Sequence, residues 1–194
     1  MSLDGQMAPS LPPLSDGTKN QNPDGISLWK LVKEDFNTHE KRLVQGFWVL
    51  LLHRYGNWRM GVESRLLRLP FSIIYKLLFP FTEVVCGISL PYTVKVGRRV
   101  KLEHFGSMIL VPRSIGNDVT IRQNTTMGIA KKNQLNGIPI IEDRVDIGCG
   151  VVIIGPVNVG HDSVIGANAV VISDIPPFSL AVGVPAKIIK RLKD

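Results

Sequence analysis

The chain is 194 residues long, 44% hydrophobic and 20% charged, with 23 Lys and Arg against 16 Asp and Glu for a net charge of +7. That length and balance fit one small core with an appendage and exclude a polar, highly charged disordered chain. The basic residues are dispersed, with small concentrations at Arg98, Arg99 and Lys101, at Lys131 and Lys132, and at Lys187, Lys190, Arg191 and Lys193; with no nucleic-acid motif or aromatic platform beside them, they point to an anionic small molecule and away from nucleic acid.

Residues 1–25 are rich in Pro, Gly, Ser, Asp and Asn and read as a disordered leader. They lack the basic and apolar regions of a secretory signal, and Cys86 and Cys149 lie far apart without metal-ligand spacing. Both features suggest free thiols and a cytoplasmic protein. Residues 26–87 read as helical. Ser27 is suited to cap a first helix running through Asn37, and a second around Arg42 to Tyr55 carries Val44, Phe47, Trp48, Leu51 and Leu52 on one side. His39 and His53 fall in this part, where surface or packing roles are the default.

A third helical segment, Ser64 to Val85, is apolar almost throughout and interrupted by Pro70 and Pro80. Its two prolines and internal charges argue against a transmembrane span. Packing against neighbouring subunits is the favoured reading. The alternative is peripheral membrane contact through residues 64–85, with Arg65, Arg68 and Lys76 flanking the apolar side chains.

From Val94 to Ala186 aliphatic residues return every six positions: Val94 and Val100, then Ile115, Ile121 and Met127, then Ile141, Ile147, Ile153, Val159, Ile165 and Val171, with breaks after Val100 and Met127. Val145, Val151, Val157, Ser163 and Ala169 form a second series four residues on. Neither an α-helix nor an alternating strand has a period of six. A β-helix does, each hexapeptide supplying one short strand and one turn and three of them making a coil. The domain is therefore set at residues 88–189, with a projecting loop at 131–139 and a short tail at 190–194.

Three segments depart from the repeat. In Lys101-Leu102-Glu103-His104-Phe105-Gly106 an acid stands beside an imidazole. A histidine can accept a proton at neutral pH and a carboxylate can stabilise its charged form, but the hexad taken alone favours a solvated pair. The loop 131–139 is either an active-site wall or a tolerated excursion. The run Ala181 to Lys187 is either a terminal coil or a place where a ligand approaches the backbone and Lys187 meets phosphate.

Taken in order, Val94 to His104, Ile115-Gly116-Asn117-Asp118-Val119, Asp146-Ile147-Gly148-Cys149-Gly150 and Gly183-Val184-Pro185-Ala186-Lys187 resemble the serine acetyltransferase branch of the hexapeptide-repeat acyltransferases. The resemblance covers residues 88–189 and implies a left-handed parallel β-helix with a short N-terminal helical region. It also implies an acetyl-CoA-dependent O-acetyltransferase. His104 becomes the general base, and Glu103 keeps the acid that the family carries beside it. Acetyl-CoA is expected in a groove between subunits of a homotrimer, or of a dimer of trimers, along Gly128, Cys149, Gly150, Ala167, Gly183, Pro185 and Lys187. No metal is expected.

Against the same pattern, the aspartate that orients the histidine falls at Ser89, and the arginine and histidine that engage serine fall at Gly137 and Ile138. The leading expectation is therefore acetylation of a sugar hydroxyl in polysaccharide biosynthesis; the alternative is serine O-acetylation in cysteine biosynthesis. The tail ending Lys193-Asp194 leaves docking to a sulfhydrylase partner unexpected. Carbonic anhydrases of this fold bind zinc through three histidines, whereas the repeats here hold only His104 and His161. A non-catalytic trimeric scaffold is the least favoured reading.

Overall fold

A computed structural model of the chain describes residues 14–104, 106–131 and 136–192. The beginning of the leader, Phe105, Lys132 with the next three loop residues, and the last two residues of the tail fall outside the described residues. Three helices precede a solenoid of short strands: α1 (Leu28–Thr38), α2 (Gln45–Trp58) and α3 (Arg65–Phe81). Ser27 caps α1, its Oγ accepting the Lys30 N–H at 3.4 Å.

The strands form three sheets that wrap about five coils. The first sheet stacks β1 (Ile88–Ser89), β4 (Met108–Leu110), β7 (Thr126–Gly128), β10 (Val152–Ile154) and β13 (Val170–Val171). The second stacks β2 (Lys95–Val96), β5 (Ser114–Ile115), β8 (Ile140–Ile141) and β11 (Asn158–Val159). The third stacks β3 (Lys101–Glu103), β6 (Thr120–Arg122), β9 (Asp146–Ile147), β12 (Val164–Ile165) and β14 (Ser179–Val182). All of these neighbours pair in parallel, which is how a coil stacked on its own kind must pair. The architecture is the expected parallel β-helix with a short helical region.

Every aliphatic residue of the six-residue series, from Val94 to Val171, is buried in the interior, as are Val145, Val151, Val157, Ser163 and Ala169. Full burial of each Val, Ile or Met side chain is worth about 1.5–3 kcal/mol, so the stripe is the main source of cohesion. The register breaks have a structural cause. Leu102 stacks on Ile121 and Leu110 on Met127, so the corner from Leu102 to Leu110 holds two residues more than the corner below it. The second break is the loop between β7 and β8.

A stacked solenoid has two open ends whose backbone groups need partners. At the upper end α2 supplies them: His53 Nε2 donates to Val94 O at 2.9 Å, Arg54 to Val96 O at 2.8 Å and Gly97 O at 2.6 Å, and Asn57 Nδ2 to Tyr92 O at 2.9 Å. His39 accepts the Leu102 N–H at 3.2 Å and passes its other ring nitrogen to Asp35 O at 2.7 Å. Arg54 is itself held by Asp35 at 2.9 Å, both side chains fully buried, and burial pushes the Asp35 carboxyl up against the pull of Arg54. The lower end is closed by β15 (Lys187–Arg191), which runs antiparallel to β14.

Four boundaries differ from the sequence reading. Residues 14–26 form no helix or strand but are docked, with the Gln21 N–H on Asn57 Oδ1 at 3.0 Å and Asn22 Nδ2 on Arg54 O at 2.9 Å. The second helix starts and ends three residues later than expected, at Gln45 and Trp58. α3 runs unbroken through Pro70 and Pro80, because both lie on its exposed side while Phe71, Tyr75 and Phe79 hold the inner side in place. Lys190 and Arg191, placed in the tail by the sequence reading, belong to β15.

Candidate active site

The enlarged corner between β3 and β4 presents His104. Its backbone has a φ of 64°, a left-handed conformation unusual for a side chain of this size, and its imidazole is exposed. His104 continues the register of β3, level with Gln123 of the next coil, and the two extra residues of the corner follow it.

Glu103 precedes it at the end of β3. Its Oε1 meets Lys101 Nζ at 2.9 Å and its Oε2 meets Arg122 Nε at 3.2 Å. Lys101 continues to Glu40 at 3.0 Å, and Arg122 continues to Asp146. The hydrogen bond from Lys101 holds the Glu103 carboxyl below its usual range, with Arg122 and His104 adding to the effect. Glu103 is therefore an anion with both oxygens engaged, able to act on His104 through its field. Arg122 is not singled out in the sequence, and Lys101 is named there only as part of a basic group and of the departing hexad; the pairing of β3 with β6 sets Arg122 beside Glu103, and the repeat, once phased by coil, contains that information.

The expected cofactor residues fall largely on the same edge. Each coil turns from the third sheet to the first through one corner, and these corners hold His104, then Asn124, Gly150, Asn168 and Gly183, all with positive φ. Cys149 and Ala167 occupy two of the corners. Hydrogen bonds run from one to the next: Gly150 N–H to Gln123 O at 2.9 Å and Asn168 N–H to Cys149 O at 2.8 Å. A Cβ on Gly150 would displace the Asn168 side chain, whose Oδ1 lies over it, and the φ of 70° adds to the preference for glycine there. Beyond β14 the turn at Gly183 to Ala186 folds back on β13, with Ala186 N–H on Val170 O at 2.8 Å, and exposes Pro185 and Lys187. Four coil rises of about 4.8 Å separate His104 from Gly183, about 19 Å of continuous edge. An extended thioester-bearing arm fits that length, and Lys187 at the far end is placed for a phosphate.

Gly128 does not join this edge. It ends β7 at the opposite side of the first sheet, where the Gly155 N–H donates to its carbonyl at 3.0 Å and the projecting loop begins. Gly137 and Ile138, half-buried, lie in that loop near the Asn136 carbonyl, which accepts from Arg113 Nη2 at 2.7 Å. Ser89 lies between buried Ile88 and Leu90 and donates its hydroxyl to Glu83 Oε1 at 2.6 Å, so a carboxylate from the end of the helical region reaches that position. His161 sits on the edge between the second and third sheets, bound to Asp162 at 2.7 Å and packed against Phe178, far from the corner of His104. Among the described residues no group of three or more His, Cys, Asp or Glu is arranged to hold a metal.

No protein-family model matches the chain. It is 34% identical to the serine acetyltransferase of Helicobacter pylori (strain J99) over 170 residues, which cover 85% of this chain and 95% of that enzyme. It is 35% identical over 138 residues to the serine acetyltransferase of Mycobacterium tuberculosis, covering 71% of this chain and spanning 57% of that enzyme. Among solved structures, serine acetyltransferase of Neisseria gonorrhoeae superposes with a TM-score of 0.73 at 26% identity, over 86% of this chain and 68% of that one.

Proposed function

The chain belongs to the serine acetyltransferase family, and on that premise we propose that it transfers the acetyl group of acetyl-CoA to a hydroxyl oxygen, with L-serine as the acceptor. The observation that carries this reading is the shared edge, on which His104, Cys149, Gly150, Ala167 and the Gly183 turn are stacked. Acetyl-CoA brings the acetyl group as a thioester. His104 takes the proton of the acceptor hydroxyl as that oxygen attacks the thioester carbonyl; the carbon–sulfur bond breaks and the proton passes on to the CoA sulfur. Glu103, fixed as an anion by Lys101 and Arg122, stabilises the imidazolium that forms in between. The backbone groups of the corners hold the pantetheine arm, Lys187 meets the phosphates, and a neighbouring subunit of a trimer closes the edge into a groove to which Gly128 contributes from its own side.

The residues alone favoured a sugar acceptor. Similarity to a serine acetyltransferase over 95% of that enzyme's length reverses the order and puts serine first. One observation keeps the sugar as a second reading: Gly137 has no side chain and Ile138 an apolar one, so neither offers a charged or polar side chain to an amino-acid carboxylate. An assay of CoA release with the product confirmed by mass separates the two. Serine turnover with a kcat/KM on the order of 10⁴ M⁻¹s⁻¹ or higher is expected; an inert serine beside a turned-over sugar would establish the second reading.

A further inference from the structure

α3 is docked along one narrow stripe, and most of the side chains outside that stripe are apolar and exposed. Phe71 packs edge-on to Trp58 at 5.3 Å, Tyr75 packs edge-on to Tyr92 at 5.3 Å, and the Phe71 carbonyl accepts from Tyr55 at 3.1 Å. Outside this stripe, Leu66, Leu77, Phe81 and Val84 are 82%, 71%, 57% and 84% exposed. The helical stretch Arg65–Cys86, 22 residues, is long and apolar enough by composition to cross a membrane. The docked stripe, two prolines and internal cations place it along a surface instead.

We propose that this face lies in the interfacial layer of an anionic phospholipid bilayer. Two features favour lipid over a second copy of the chain. The stretch Arg65–Cys86 carries Arg65, Arg68 and Lys76 against a single acid, Glu83, and this cationic excess complements an anionic leaflet. Lys76 stands exposed within this face; lysine is depleted at protein interfaces, while at a bilayer its chain lies along the apolar layer and its ammonium reaches the headgroups. The acetyl-transfer edge then works beside a membrane, whatever its acceptor.

The test is flotation of the full chain with vesicles of phosphatidylcholine alone and with about one third phosphatidylglycerol, together with light scattering in the absence of lipid. Two variants accompany it: a triple replacement Leu66→Ser, Leu77→Ser and Val84→Ser, and the single Lys76→Glu. The full chain is expected to float with the anionic vesicles. Both variants should bind them at least about tenfold more weakly while keeping the solution size of the parent. A parent chain that stays behind, variants that float equally well, or a triple variant whose assembly falls apart would each overturn the proposal, the last by showing that a second copy covers this face.

Discussion

Two long edges border the charged third sheet, and both are built from the same left-handed corner. On the edge shared with the second sheet the corner residues are Arg99, Asp118, Arg144 and Asp162, followed by Phe178 in the last coil, with φ between 55° and 58°; the four charged ones form two ion pairs. They pair in order, Arg99 with Asp118 at 2.6 Å and Arg144 with Asp162 at 2.6 Å, each bidentate. On the edge shared with the first sheet the equivalent corners hold His104, Asn124, Gly150, Asn168 and Gly183. The first edge is closed by its own ion pairs. The second has no ion pair between these corner residues and carries His104 in a corner that is two residues longer. The same geometry, filled differently, yields a seam in one place and a candidate binding track in the other.

The comparison predicts unequal consequences of substitution. His104→Ala should lower turnover by roughly 10²-fold or more while CoA affinity, measured by calorimetry on the same preparation, stays within about twofold. Unchanged turnover would move the chemistry away from this edge.

A smaller and pH-dependent effect belongs to the helical cap. Burial, helped by neighbouring Arg54, lowers the pKa of His53 to about 3, below the usual 6.5. The unfolded chain therefore binds this proton first, so the stability that neutral His53 permits is complete above pH 6.5 and declines as pH falls towards 3. The slope approaches about 1.4 kcal/mol per pH unit. His53→Gln, which can still donate to the Val94 carbonyl, should flatten that part of the curve of Tm against pH; an identical slope in the variant would assign the acid sensitivity elsewhere.

The smallest effect is expected on the ion-paired edge. Asp162→Asn should cost about 0.5–1 kcal/mol in urea unfolding at low salt and less in 1 M salt, with turnover unaffected, because such half-exposed pairs are screened. A loss of activity there would erase the distinction between the edges.

Much of the solenoid could be read in advance because a six-residue period is a local signal, and Val94 to Val171 all proved to be core. His104 was visible as a polar interruption of that period. The cap was not visible, since Arg54 looks like an ordinary charge on α2 and only the fold brings the Val96 and Gly97 carbonyls to it. Glu103 was read as a partner for His104, yet Arg122, one coil away, and Lys101 hold it, a contact hidden from any residue-by-residue reading. Pro70 and Pro80 suggested interruption of α3 because the sequence does not say which side of the helix will face outward.

The central claim, that the edge beginning at His104 is the CoA track, is tested most directly by amide hydrogen exchange of the full chain with and without saturating CoA. Exchange should slow at residues 148–151, 166–169 and 183–186, and remain unchanged at 97–100, 116–119, 142–145 and 160–163. Protection confined to the second set, or none at either edge while calorimetry shows CoA bound, would contradict the account.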